Sequence, residues 1–162
     1  MSAEGEVYRL LSADGVTVTA PKNVVLQSQM LKNLLEVASA EEEITLDSVH
    51  SEDLKHILEY CEYHAKSDND SSVPEADKQD WDQKFVQKVT ANNDQHLRML
   101  VNADKLIIPS LFKLLVRAAV AKLHNKTAKE IRADWGIAAD LTKEEEDEVL
   151  GTTSWLYAAK KD

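Results

Sequence analysis

The sequence is poor in the residues from which loop chemistry and covalent staples are built. Its 162 residues include four glycines, three prolines and one cysteine. A single cysteine, Cys61, excludes any disulfide within the chain. Four glycines leave no room for a phosphate-cradling loop. Asn125-Lys126-Thr127 has the Lys-Thr of such a loop but none of the preceding glycines. No G-x-S-x-G elbow or zincin pattern occurs. No apolar run approaches the ~20 residues that span a bilayer. The opening Met1-Ser2-Ala3-Glu4-Gly5 lacks the basic and apolar regions of a secretory signal, so the expected compartment is cytoplasmic or nuclear. Positive charge is also short. Nineteen basic residues face 29 acidic ones, a net charge of −10. A chain of that sign without a basic stripe is repelled by phosphate backbones, which argues against nucleic acid as a partner.

The negative charge is concentrated. Residues 66–82 carry six acids and two lysines, and residues 140–148 carry six acids and Lys143. The remaining chain is nearly neutral and is what must fold and bind. The first acidic stretch, with Ser71-Ser72 and Pro74, reads as a mobile linker over 66–80. The second reads as a helix start, where acids complement the positive end of the helix dipole.

What is present falls into a mixed β/α half and an all-helical half. Val7–Leu11 and Val16–Thr19 flank Asp14-Gly15, a hairpin signal. Residues 24–38 place Val24, Leu31, Leu34, Leu35 and Ala38 at helical spacings. After Glu41-Glu42-Glu43 comes Ile44-Thr45-Leu46, a short strand. Ser51 is placed to cap a helix over 52–64, with Leu54, Ile57, Leu58 and Cys61 on one buried face. Helices are expected over about 94–104 and 110–124, the second after Pro109. The 110–124 helix is apolar nearly all round, apart from Lys113, Arg117 and His124 on one side and Lys122 on the other. Such a helix must be covered on several sides.

The C-terminal part has two T-x-x-E capping boxes, Thr127–Glu130 and Thr142–Glu145, each followed by a glycine placed to end the helix, Gly136 and Gly151. Its apolar residues are too few for a core of their own. Trp135 and Trp155 therefore either anchor an interface or complete the core of the preceding helices. Catalytic candidates are weak. Cys61 and His64 sit i, i+3, but without a second cysteine a buried structural thiol is the simpler reading. His50, His96 and His124 read as scattered surface residues. No cofactor or metal is implied. A small hydrolase or metalloenzyme lacks its motifs, and an acidic chaperone would rest on charge runs that have ordinary explanations.

The order of segments resembles the S-phase kinase-associated protein (Skp) family, the adaptors that join F-box proteins to a cullin. The similarity runs from the hairpin ending Ser12-Ala13-Asp14-Gly15, through Gln27-Ser28, Ile44–Val49 and Leu54–His64, to Trp81–Phe85. Its strongest part is Lys126-Thr127 with Glu130-Ile131-Arg132, then Ile137, Asp140-Leu141-Thr142, Glu144–Glu146 and Trp155. The resemblance implies an α+β chain: a BTB/POZ fold over 5–125, a small mixed sheet surrounded by helices, and a helical F-box-binding extension over 126–162. It implies the role of adaptor subunit in an SCF-type cullin–RING E3 ubiquitin ligase, with no catalytic residue. The implied F-box contacts are Leu111, Leu114, Leu115, Ala118, Ile131, Trp135, Ile137 and Trp155. On the implied cullin-facing side the family usually has Ala-Asn-Tyr-Leu, and this chain has Ala103-Asp104-Lys105-Leu106. Two hydrated charges there cost several kcal/mol to desolvate unless paired. Asp104 and Lys105 thus require either a co-adapted cullin or a cullin-free complex, such as a kinetochore or trafficking assembly. A second family trait, a modifiable proline after the Lys-Thr, is replaced by Ala128. Whether the free protein pairs weakly with itself through exposed apolar surface stays open.

Overall fold

The hairpin forms because its turn has a residue that tolerates a left-handed backbone. Gly15 has φ 78°, and Ser12 and Val16 close the turn with a backbone bond of 3.0 Å. The strands are β1 (Val7–Ser12) and β2 (Thr17–Pro21), antiparallel with Leu10 opposite Val18. A third strand, β3 (Glu43–Leu46), pairs parallel to β1, with Leu10 opposite Ile44. The sheet order is β2-β1-β3. Alternation puts Tyr8, Leu10, Ala20, Ile44 and Leu46 in the core. The computed structural model describes residues 6–37, 42–139 and 141–158, with the side chains of 156–158 excepted. Ala38, Glu41, Asp140 and the first five residues, all named above, lie outside the described residues, as does the end of the extension after 158.

The crossover from β2 to β3 contains two short helices, α1 (Lys22–Val25) and α2 (Gln29–Leu35), rather than one run over 24–38. The break comes at Ser28, whose hydroxyl accepts the Leu31 N–H at 3.2 Å as the α2 N-cap. Two more α2 amides donate to a neighbouring turn: Gln29 N–H to Ile107 O and Met30 N–H to Leu106 O.

Helix α3 (Ser51–Ser67) buries Leu54, Ile57 and Cys61, as the spacing requires. Ser51 is not its cap. The cap position is His50, and Ser51 is the first helical residue, its N–H and hydroxyl both donating to the Asp14 carboxylate at 2.8 and 2.6 Å. The hairpin turn therefore closes the start of α3. Hydrogen bonds from Ser12 and Ser51 hold the Asp14 carboxyl well below the usual carboxylate range.

The acidic stretch is only partly irregular. Helix α3 extends to Ser67, and a further helix, α4 (Glu75–Val89), starts directly after Pro74. Seven residues, 68–74, are left between them. The expected linker over 66–80 is thus mostly helical. The reason is aromatic packing: Trp81 stacks on Tyr63 with centroids 4.0 Å apart and on Phe85 at 5.2 Å. His64 Nε2 lies 2.9 Å from Asp82 Oδ1.

Helices α5 (Asn93–Lys105) and α6 (Pro109–Leu123) complete this region, with Pro109 in the first turn of α6. His96 is fully buried, not superficial. Its Nε2 is 2.9 Å from Leu115 O, so that nitrogen donates. Asp53, also buried, accepts from Arg98 Nε at 3.0 Å and from Asn102 Nδ2 at 3.3 Å, tying α3 to α5. Lys122 reaches Asn93 Oδ1 at 2.9 Å and Thr90 O. The chain divides into two compact units, Met1–His124 and Asn125–Asp162. The second holds α7 (Ala128–Trp135) and α8 (Lys143–Ala158). Among the described residues no helix is long and apolar enough to cross a membrane.

Candidate protein-binding surfaces

Helix α6 turns one apolar face into the core and leaves another open. Leu111 and Leu115 are 0% exposed, and Leu114 and Ala118 are half-buried. Leu111 and Leu115 thus have no surface to offer a partner, and their place is the core of the first unit. The open face lies about 100–180° round the helix from Leu111. It consists of Phe112, Val116, Val120 and Leu123, spaced i, i+4, i+8 and i+11; Val120 is 58% exposed and Val116 half-buried. Periodicity could not tell the two faces apart, because the helix is apolar nearly all round. The available signal was the flanking pair Lys113 and Arg117, both exposed, which border the open stripe.

Asp104 and Lys105 end α5 and are both exposed. The next turn includes Ile107 at φ 52°, a left-handed backbone that a β-branched residue rarely adopts. The Ile107 side chain is 45% exposed, while its carbonyl accepts from α2.

The second unit is organised by its caps. Glu130 N–H donates to Thr127 Oγ1 at 3.3 Å and Thr127 N–H donates to Glu130 Oε2 at 2.8 Å, a closed capping box. Thr142 and Glu145 repeat it with the same two distances. Each glutamate is held below its ordinary pKa, first by the backbone N–H and then by the hydroxyl of its threonine. Gly136 ends α7 in a left-handed conformation, φ 62°. Gly151 does not end α8, which continues to Ala158. The hydroxyls of Thr152, Thr153 and Ser154 bond back to carbonyls one turn earlier and satisfy the helix around it.

Neither α7 nor α8 has a buried side chain among the described residues. Between them lies a cleft of about 520 Å³, floored by Ala128, Leu141, Val149 and Leu150. An Arg132–Glu146 ion pair bridges it. An adjoining hollow of about 400 Å³ adds Ala133, Ile137, Ala139 and Lys143. Of the expected contacts, Ile137 lines this hollow, Ile131 and Trp135 are half-buried, and Trp155 is 69% exposed. Leu141, Val149 and Leu150, which line the cleft, were not among the expected contacts. The described part of α8 does not use Trp155 to complete a core.

Burial pushes the Cys61 thiol up to about 12, so it is neither nucleophile nor ligand at neutral pH. Among the described residues no group of three or more His, Cys, Asp or Glu could hold a metal ion.

Comparison with known proteins matches two stretches of the chain, the second of which begins at the start of α6 within the first unit. Residues 6–66 match the Skp1 family tetramerisation domain, and residues 109–156 match the Skp1 family dimerisation domain. The chain belongs to the Skp1 family. It is 31% identical to an E3 ubiquitin ligase complex SCF subunit sconC from Arthroderma benhamiae, over 90% of this chain and 92% of that one. It is 32% identical to an S-phase kinase-associated protein 1 homolog from Tetrahymena thermophila, covering 93% and 94% of the two chains. SKP1-like protein 12 from Arabidopsis thaliana is 31% identical over 91% and 95%. The small mixed sheet with its surrounding helices is thus the family's POZ fold, with a helical C-terminus.

Proposed function

We propose that this protein is a non-catalytic adaptor subunit of an SCF-type cullin–RING E3 ubiquitin ligase, acting in the cytoplasm or nucleus. It links an F-box substrate receptor to a cullin scaffold. The observation that carries this is the likeness, over nine-tenths of the chain, to a relative named as an SCF subunit. The structure supports it physically. Two helices, of 8 and 16 residues, with exposed apolar side chains and none buried among the described residues, are what an adaptor presents to a folded partner segment.

The F-box contact is assigned to the open stripe of α6, to Ile131, Trp135 and Ile137, and to Trp155. Leu114 and Ala118, also expected as contacts, are half-buried on the side of α6 away from that stripe, and Leu111 and Leu115 lie in the core. The cullin contact is assigned to the end of α5 around Asp104 and Lys105. Exposed in the free protein, these charges cost nothing until an interface desolvates them, so the cullin must supply counter-charges. A cullin-free F-box complex is the second reading, favoured by the same two charges.

Co-expression with an F-box protein and the N-terminal domain of a cullin from the same source, followed by native mass spectrometry, tests both. The ternary complex is the expected result. A binary F-box complex that never recruits cullin overturns the ligase reading. Failure to bind any F-box segment overturns both.

A further inference from the structure

Among the described residues, the side chains that line the cleft between α7 and α8 carry a net sign opposite to that of the chain. At about 100° per residue, the α8 residues lining the main cleft, Glu146, Val149, Leu150 and Thr153, centre on one face, and Lys143 lies about 70° from it. The acids Glu144, Glu145, Asp147 and Glu148 lie about 90–170° away. On α7 the lining residues include Lys129 and Arg132, while Glu130 and Asp134 point about 130–170° off. Those two acids are already engaged, Glu130 by its capping box and Asp134 by Lys126. Arg132 and Glu146 neutralise each other. Lys129 and Lys143 therefore remain as exposed cations on the rim of an apolar cleft, in a chain of net charge −10.

We infer that this cleft selects among F-box partners: it takes an aliphatic side chain of a helical segment whose neighbouring residues are acidic, and Lys129 and Lys143 read those acids. The inference rests on the adaptor reading and names the chemistry of the partner at that site. The aliphatic side chain supplies affinity by filling the volume above Leu141, Val149 and Leu150. The lysines supply discrimination, because a basic segment meets like charge and an acidic one completes two ion pairs. Two partly exposed pairs correspond to a preference of about fivefold to thirtyfold.

The test uses the full chain and two F-box segments with identical aliphatic anchors. One is flanked at the cleft by Asp and Glu, the other by Lys and Arg. Titration calorimetry is run at ~50 mM and ~300 mM salt, which shortens the screening length about 2.4-fold. The expected result is tighter binding of the acidic segment, with the preference shrinking in high salt. Lys129→Glu with Lys143→Glu should abolish or reverse that preference, and the milder Gln pair should reduce it. Lys32→Glu with Lys55→Glu, an equal charge change on α2 and α3, should leave it intact. Circular dichroism confirms that each variant keeps its helix content. Equal binding of both segments to the wild-type chain, or an equal effect of the control pair, overturns the inference and leaves the adaptor reading standing. Failure of both segments to bind overturns the adaptor reading, and the inference with it.

Discussion

The two units of this chain have similar helix-forming signals and opposite relations to water. The first collects 22 buried hydrophobic side chains into one core, with Leu10, Met99, Leu111 and Leu115 inaccessible. Among its buried polar groups, Asp53 is held through Oδ2 by Arg98 and Asn102. The second has closed capping boxes at both helix starts, yet none of its described side chains is buried, and Ile137, Val149, Leu150 and Trp155 are half exposed or more. Caps supply about 1 kcal/mol each, and a short helix needs a packed face as well. What makes the first unit self-sufficient is burial. What makes the second fit for binding is that its burial is unfinished.

The contrast can be broken hardest from the core side. Leu115→Ala should cost about 2–5 kcal/mol of the first unit's stability, read by urea denaturation, because it opens a cavity with little room to collapse. Intrinsic F-box affinity, corrected for the folded fraction, should change little. Trp155→Ala should do the reverse. F-box affinity should fall by more than ~1 kcal/mol in calorimetry while the main unfolding transition stays in place. An unchanged affinity would remove Trp155 from the interface.

Thr127→Ala is subtler. It opens one capping box and should cost ~1 kcal/mol of α7 stability, visible as faster amide exchange in α7 of the free protein. Bound partner should restore most of the protection.

Acid separates the units gently. Burial holds the His96 imidazole below its ordinary value of about 6.5, so the unfolded chain takes up a proton that the fold resists. Stability of the first unit should therefore decline as pH falls from about 6.5. The depressed carboxyls of Asp14, Glu130 and Glu145 contribute above about pH 4 and lose that contribution below it, so the second unit should respond only there. Chemical denaturation monitored by exchange at pH 7, 5.5 and 3.5 reads both stages.

Local signals were read well from the sequence because each depends on residues a few positions apart. The hairpin at Asp14-Gly15, the buried stripe of α3, the start of α6 at Pro109 and both capping boxes are of this kind. Most of the misreadings are long-range. Helix α4 is polar along most of its length, and it is held in place by the stacking of Trp81 on Tyr63 from α3 and by the burial of Phe85 and Val89. Ser51 resembled a cap until Asp14 of the hairpin took its N–H. His96 resembled a surface histidine until the Leu115 carbonyl met it. Gly151 resembled a helix end, and side-chain bonds from the next turn carried the helix through it.

Of the contacts implied by the family resemblance, Ile137 and Trp155 are exposed, whereas Leu111 and Leu115 lie in the core. Sequence by itself determined the excluded chemistry, the family pattern, most helix starts and the presence of more apolar surface than one small core can use. Tertiary structure alone decided which face of α6 is core and which stays open to a partner. It also decided that Lys129 and Lys143 share one hollow. The physical reason is that helical periodicity gives the angle between side chains on one helix, while only packing against other elements gives the direction of water.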